Sequence, residues 1–157
     1  MPRTKNAKDY LRALQRLAAS GNLPKSPNGA RANWEQLPDL TERLHTILDL
    51  SQQKKKSTDM LFFVMYDIES NKVRRYIVKY LERKGCMRVQ KSIFLASLSM
   101  EKYQDIRNDL AEVQAAYDNQ DSILVVPITT DYLRAMKVIG QNIDIDIITN
   151  TRTTLFF

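Results

Sequence analysis

The hydrophobic period changes repeatedly between Leu61 and Ile128, and that succession constrains the fold more than any other feature of the chain. "LFFVMYDI", residues 61–68, is a short apolar run rich in β-formers, the pattern of a buried strand. A helical pattern follows at once. Val73, Ile77 and Leu81 lie on its inner side, Ser70 or Asn71 caps it, and Gly85 stops it. "MRVQKSIFLASL" reads as extended chain, split into a tight hairpin around Gln90–Ser92. Ser99 caps a second helix, in which Tyr103, Ile106, Leu110, Val113 and Tyr117 recur at alternating spacings of three and four. "SILVVPI" is a further strand, a short helical segment runs from Asp131 to Lys137, and the tail "DIDIITNTRTTLFF" is β-like again. The order βαββαβ plus an extra C-terminal strand predicts an α+β ferredoxin-like sandwich, with two helices on one face of an antiparallel sheet. The other face also needs cover, and a second copy of the chain is the expected source.

The first 58 residues read differently, which divides the chain into a basic helical extension with a linker (1–58) and the α+β body (59–157). Ala7–Ala19 places Tyr10, Leu11, Leu14, Leu17 and Ala18 on one side of a helix. "NLPKSPNGARANW" is a Pro/Gly/Asn-rich connection. A second helix is expected from Asp39 to Leu50, with Leu40, Leu44, Ile47 and Leu48 as its stripe, and "SQQKKKST" reads as a basic linker. Two short helices bury little area alone, so they should pack on the body, on a partner or on each other.

Charge is distributed unevenly. Residues 1–58 hold 11 Lys/Arg against 5 Asp/Glu, whereas residues 59–157 hold 13 of each. Within the body, Lys72–Lys91 carries eight basic residues and one acid, Glu82. A polyanion is the natural partner of such a surface, because neutralising phosphates releases counterions; the plainer reading is a solvated outer helix face. Other chemistries are constrained by scarcity. A single cysteine, Cys86, precludes an internal disulfide or a thiolate metal cluster, and a single histidine, His45, argues against multi-His zinc sites and a Ser-His-Asp triad. No apolar run reaches the roughly 18 residues that a membrane span needs, and the N-terminus lacks the continuous apolar core of a secretory signal. A soluble cytoplasmic protein without a membrane partner is expected.

The "FVMYDI" strand ending in Asp67, the helix "NKVRRYIVKYL" with paired Arg74 and Arg75, "RVQKSIF" after a helix-stopping glycine, and then "DSILVVPI" and "KVIG" together resemble the CRISPR-associated protein two family. That family supplies the small dimeric subunit of the spacer-acquisition machinery, and the likeness covers roughly Met60–Gly140. It implies a homodimer whose C-terminal strands complete each other's sheets, with Asp67 at the dimer interface. Two symmetry-related carboxylates would there share Mg²⁺ or another divalent cation. It implies nucleic-acid contacts, to double-stranded DNA or to RNA, from Lys72, Arg74, Arg75, Lys79, Arg88 and Lys91, with Gln90, Ser92 and Phe94 in support. Arginines suit this role through bidentate phosphate contacts. Phe94 fits either as core or as a stacking platform for a nucleotide. The chain departs from the family pattern in having Leu95 and Ala96 after Phe94, where many members carry an acid, and in its N-terminal extension.

Three functions follow. One is an adaptor that bridges two copies of the CRISPR-associated protein one integrase and holds duplex DNA. Another is a Mg²⁺-dependent endoribonuclease or deoxyribonuclease with Asp67 as catalytic ligand. The third, a ferredoxin-like RNA-binding or regulatory module, lacks the aromatic signature that an RNA-reading sheet needs. Asp67 also has a purely local reading, as a strand-end residue that accepts backbone N–H bonds or caps the next turn. The extension, from Lys5 to Arg16 and at Lys54–Lys56, is expected either to tether DNA or an enlarged integrase, or to be a solubilising tail.

Overall fold

A computed structural model describes residues 7–19, 36–52, 58–117, 119–140 and 143–146. Lys5, Lys54–Lys56, the 22–34 connection and most of the β-like tail lie outside the described residues. The elements are α1 (Ala7–Ala19), α2 (Leu40–Gln52), β1 (Asp59–Asp67), α3 (Asn71–Arg83), β2 (Met87–Gln90), β3 (Ile93–Ser99), α4 (Met100–Ala115), β4 (Ser122–Pro127), α5 (Thr130–Ala135), β5 (Lys137–Gly140) and β6 (Ile143–Asp146).

The body has the expected βαββαβ order and forms a four-stranded antiparallel sheet, β2-β3-β1-β4. The start and stop signals act as the side chains dictate. Ser70 caps α3 by accepting from the Val73 N–H at 3.4 Å, and Ser99 caps α4 by accepting from Lys102 N–H at 3.4 Å. Gly85 leaves α3 at φ +92°, a conformation that a Cβ would strain. Asp39 caps α2 rather than opening it, its carboxylate accepting from the Glu42 N–H at 2.8 Å.

Strand alternation sends Phe62, Val64 and Tyr66 of β1 and Phe94 and Ala96 of β3 to one sheet face, where Val73, Ile77 and Leu81 of α3 and Ile106 and Leu110 of α4 meet them. Phe62 and Tyr103 pack edge to face at 4.9 Å. This core does not stop at α3 and α4. Tyr10, Ala13, Leu14 and Leu17 of α1 belong to it, forming a third layer outside those helices. The Arg83 guanidinium ties that layer down by donating to the Leu17 and Ala18 carbonyls at 2.7 and 2.8 Å, at the end of α1 where helix carbonyls lack partners.

The opposite sheet face corrects one expectation. Leu61, Val89 and Leu95 do not wait there for a second copy of the chain: Ile47 and Leu50 of α2 and Leu133 of α5 pack against them. The reason is local, since α2 carries an apolar stripe and joins β1 after only a few residues. The C-terminal expectation also changes. Instead of one extra strand in the sheet, β5 and β6 pair with each other as a separate antiparallel ladder. The turn at Met136 carries β5 over the α2-covered face, where Met136 and Val138 are half-buried, rather than alongside a sheet edge. The two N-terminal helices thus pack on the body, on its opposite sides.

Candidate nucleic-acid interface and acidic site

Asp67 is the last residue of β1 and is exposed. Alternation along the strand puts it on the same face as Leu61, Phe63 and Met65, the face that α2 partly covers, and pairs it with Ser122 of β4. The turn that follows does not use it. Ser70 caps α3, and Asp121 accepts the Glu69 N–H at 3.0 Å while also accepting the Tyr117 hydroxyl. Both jobs that a strand-end aspartate ordinarily performs are therefore done by other residues. No hydrogen bond or ion pair from a described residue engages the Asp67 carboxylate.

The hairpin turn between β2 and β3 stands beside this end of β1, because the Tyr66 N–H donates to the Ser92 carbonyl at 3.0 Å. The Lys91 carbonyl collects three donors: Arg88 Nε at 3.1 Å, an Arg88 terminal nitrogen at 2.7 Å and the Tyr66 hydroxyl at 3.2 Å. Arg88 also lies 5.9 Å over the Phe94 ring. Burial raises the Tyr66 phenol above its ordinary value, and the nearby Arg88 and Arg74 guanidiniums oppose that shift. Two cations from different elements thus stand beside Tyr66 on the α3 side of the sheet, the face opposite the one to which alternation assigns Asp67. Arg74 is half-buried and donates to the Asn71 side chain.

The remaining cations sort by exposure. Lys72, Arg75 and Lys79 lie on the solvent side of α3, three and four residues apart and hence on one helix face. Lys72 Nζ sits 6.0 Å from the Tyr10 ring centroid, so α1 borders this face. Lys91 is exposed at the hairpin turn. One supporting assignment changes. Phe94 is fully buried and stacked on Tyr66 at 6.4 Å, which removes it as a platform for a nucleotide; strand alternation turns it toward α3. Gln90 is engaged from α2, its side-chain oxygen accepting from Arg43 at 2.9 Å. Ser92 is half-buried, and its described contact is through the backbone carbonyl.

The fold therefore brings Arg74 and Arg88 beside Tyr66 on the α3 side of one sheet end, sets Asp67 at that end on the opposite face, and spreads Lys72, Arg75 and Lys79 along α3. Sequence patterning did not single out Asp121, Tyr66 or Arg43, which hold this end together. Their signal is weak, because each acts through one hydrogen bond to backbone at a distant position rather than through a periodic pattern.

The order and spacing of these elements match a known family. The CRISPR associated protein Cas2 family matches residues 60–136. Those residues form a domain of that family. No curated protein matches the chain. The matched span opens within β1 and closes just after α5, so it contains Asp67, the α3 cations and the hairpin turn, and leaves out α1 and α2. The chain accordingly has a CRISPR-associated role, in a family that belongs to the CRISPR adaptation machinery. Among the described residues, no helix is long and apolar enough to cross a membrane.

The donor set was weighed against a divalent cation. Among the described residues, no group of three or more His, Cys, Asp or Glu side chains stands where it could hold a metal ion. One chain offers Asp67 alone. Mg²⁺ keeps several waters and is held through one or two carboxylates together with substrate phosphates, so Asp67 suits it only when a second carboxylate or a bound phosphate completes the shell.

Proposed function

We propose that the protein acts in CRISPR adaptation as a homodimeric adaptor that holds duplex DNA by sequence-neutral phosphate contacts and bridges integrase subunits. The observation that carries this reading is the exposed Lys72, Arg75 and Lys79 face of α3. Contacts of this kind position a duplex without reading its bases. Doubled by a two-fold axis, the face becomes a track longer than one chain provides. The test is the salt dependence of duplex binding. Lys72→Ala, Arg75→Ala and Lys79→Ala should each weaken binding of unrelated sequences alike and each lower the slope of log K against log salt by about 1. An unchanged slope in all three would place the DNA on another surface.

A second reading, a metal-dependent phosphodiesterase, is favoured by one observation: Asp67 is exposed at the end of β1, and no hydrogen bond or ion pair with a described residue engages it. A divalent cation bound there would supply Lewis-acid charge stabilisation and a more acidic water. Asp67 would hold the ion, with a phosphate oxygen of the bound nucleic acid completing its shell. Asp67→Ala separates the two readings. The adaptor keeps supporting integration with its partner integrase, whereas a nuclease-dependent protein loses both cleavage of RNA or DNA and the product of integration.

A further inference from the structure

Helix α1 lies against α3 beside its cationic face. Lys72 at the start of α3 stands 6.0 Å from the Tyr10 ring of α1, and Arg83 at the end of α3 binds the Leu17 and Ala18 carbonyls at the end of α1. The two helices therefore run side by side in the same direction, with axes about 8–10 Å apart. On its other flank α1 meets α4, where Asp9 and Arg16 line a cleft with Glu112 and Ala116, and Arg16 pairs with Glu112. Successive helical residues are turned by about 100°, so Leu11 and Ala18 fall on the flank toward α3, with Lys8 and Gln15 just outside them. Arg12 stands at the crest between the two flanks. All five of these residues are exposed. The one acid of α1, Asp9, thus faces α4, and the one acid of α3, Glu82, lies past Lys79 in the last turn.

The step between α1 and α3 is accordingly bordered by positive charge on both sides. On α3, Lys72, Arg75 and Lys79 span about 10 Å along the axis. That length matches the rise of about three nucleotides of one strand. On α1, Lys8 and Arg12 are four residues apart and share one helix face. Two cationic rows across one gap repel each other, and an anion seated between them relieves that repulsion. The α1 row is also in place before any ligand arrives. Leu17 is fully buried, and Tyr10 and Leu14 belong to the main core. Cations carried on such a helix bind without the ordering cost that a basic tail incurs.

We propose that α1 and α3 form the two sides of a furrow that seats one sugar–phosphate strand of duplex DNA, with Lys8 and Arg12 as phosphate contacts opposite Lys72, Arg75 and Lys79. This inference rests on the functional reading above and extends it to a helix outside the matched span of residues 60–136. The N-terminal helix is then neither a tether nor a solubilising tail but a fixed wall of the binding surface. Leu11, 52% exposed on that wall, keeps it free of acid where a phosphate passes. Arg16 is spent on Glu112 and adds little to the contact.

The experiment measures binding of the full chain to a duplex of arbitrary sequence across a salt series, by fluorescence anisotropy. Lys8→Ala and Arg12→Ala should each lower the slope of log K against log salt by about 1 and weaken binding about eightfold at 0.1 M salt. Leu11→Lys should do the reverse, raising the slope by about 1 and tightening binding, a gain that a misfolded chain cannot mimic. Lys102→Ala controls for net charge. Lys102 is exposed in the first turn of α4, about 22 Å along that helix from Tyr117, the residue that meets Tyr10. Its loss should leave the slope unchanged. If the Lys72, Arg75 and Lys79 variants lower the slope while the α1 variants do no more than Lys102→Ala, the furrow is overturned and the functional reading stands. If the α3 variants change nothing, both fall.

Discussion

Leu17 is fully buried at the end of the chain's first helix, and its truncation tests whether α1 is part of the folding unit or an attachment to it. The side chain lies in the same core as Phe62, Ile77 and Phe94, although the sequence divides the chain near residue 58. Leu17→Ala removes its buried methyl groups and leaves a cavity between α1 and the α3/α4 layer, a change that costs about 3 kcal/mol. For a chain of this size, about 1 kcal/mol moves the melting midpoint by about 2–4 °C, so the midpoint should fall by about 6–12 °C. Leu11→Ala is the matched control, because Leu11 is 52% exposed on the same helix and should cost less than about 0.5 kcal/mol. Calorimetry and far-ultraviolet circular dichroism should both follow the main transition. If Leu17→Ala leaves that transition where it was and only a small early step moves, α1 unfolds independently and its place in the core contributes nothing to the body.

Other perturbations test separate parts of the structure. Gly85→Ala should cost about 1–2 kcal/mol through backbone strain at φ +92°, since the nearest neighbour of an added Cβ, Leu98 Cδ2 at 3.5 Å, is an ordinary contact; chemical denaturation measures it. Burial pushes the Cys86 thiol up to about 12 from the ordinary 9. A raised folded-state value means that its stabilising effect is complete below about pH 9 and is lost as pH climbs toward 12, at up to about 1.4 kcal/mol per pH unit. Urea midpoints between pH 8 and 10 should decline from about pH 9, and less steeply in Cys86→Ala. Burial and the Asp121 carboxylate raise the Tyr117 phenol in the same direction. Asp67→Asn should leave the melting midpoint within about 0.5 kcal/mol of the parent, because the exposed carboxylate caps nothing; a large loss would return Asp67 to a structural role.

The body was legible in the sequence because each of its elements carries a local signature. The 3,4,3 spacing from Tyr103 to Val113 marks the buried side of α4, and Ser70, Gly85 and Ser99 punctuate the chain where the backbone needs a cap or a positive φ. The cation-rich α3 was visible in the same way, since charge and helical period are both short-range properties. What escaped was tertiary choice. Nothing in the stripe of α2 says which apolar face it will meet, and the sheet had two faces to offer. The β-like residues after Gly140 gave propensity without register, so a ladder between β5 and β6 and an added sheet strand read alike. Phe94 was open between core and platform for the same reason: its alternation was clear, but which side faced α3 was not.

The two N-terminal helices lie on opposite sides of one sheet and are held there by different physics. The contact surface of α1 is continuous with the main core, and its Tyr10 meets Tyr117 edge to face at 5.6 Å while Arg83 caps its last carbonyls. Removing α1 would bare apolar area and also strand a guanidinium that gains charge-assisted bonds only there. The contact surface of α2 is a smaller separate cluster beside an open cleft of about 270 Å³, and its polar ties are hydrogen bonds from Arg43 to Val89 and Gln90 and from Arg134 to Ser51. Opening free energy follows buried apolar contact, so α2 should open at lower cost than α1, and the sheet face should become accessible while the helical side stays closed. That ordering fits the distribution of charge. On the functional reading proposed above, the side that stays closed is the one that carries Lys72, Arg75 and Lys79, and the face that opens is the one that carries Asp67.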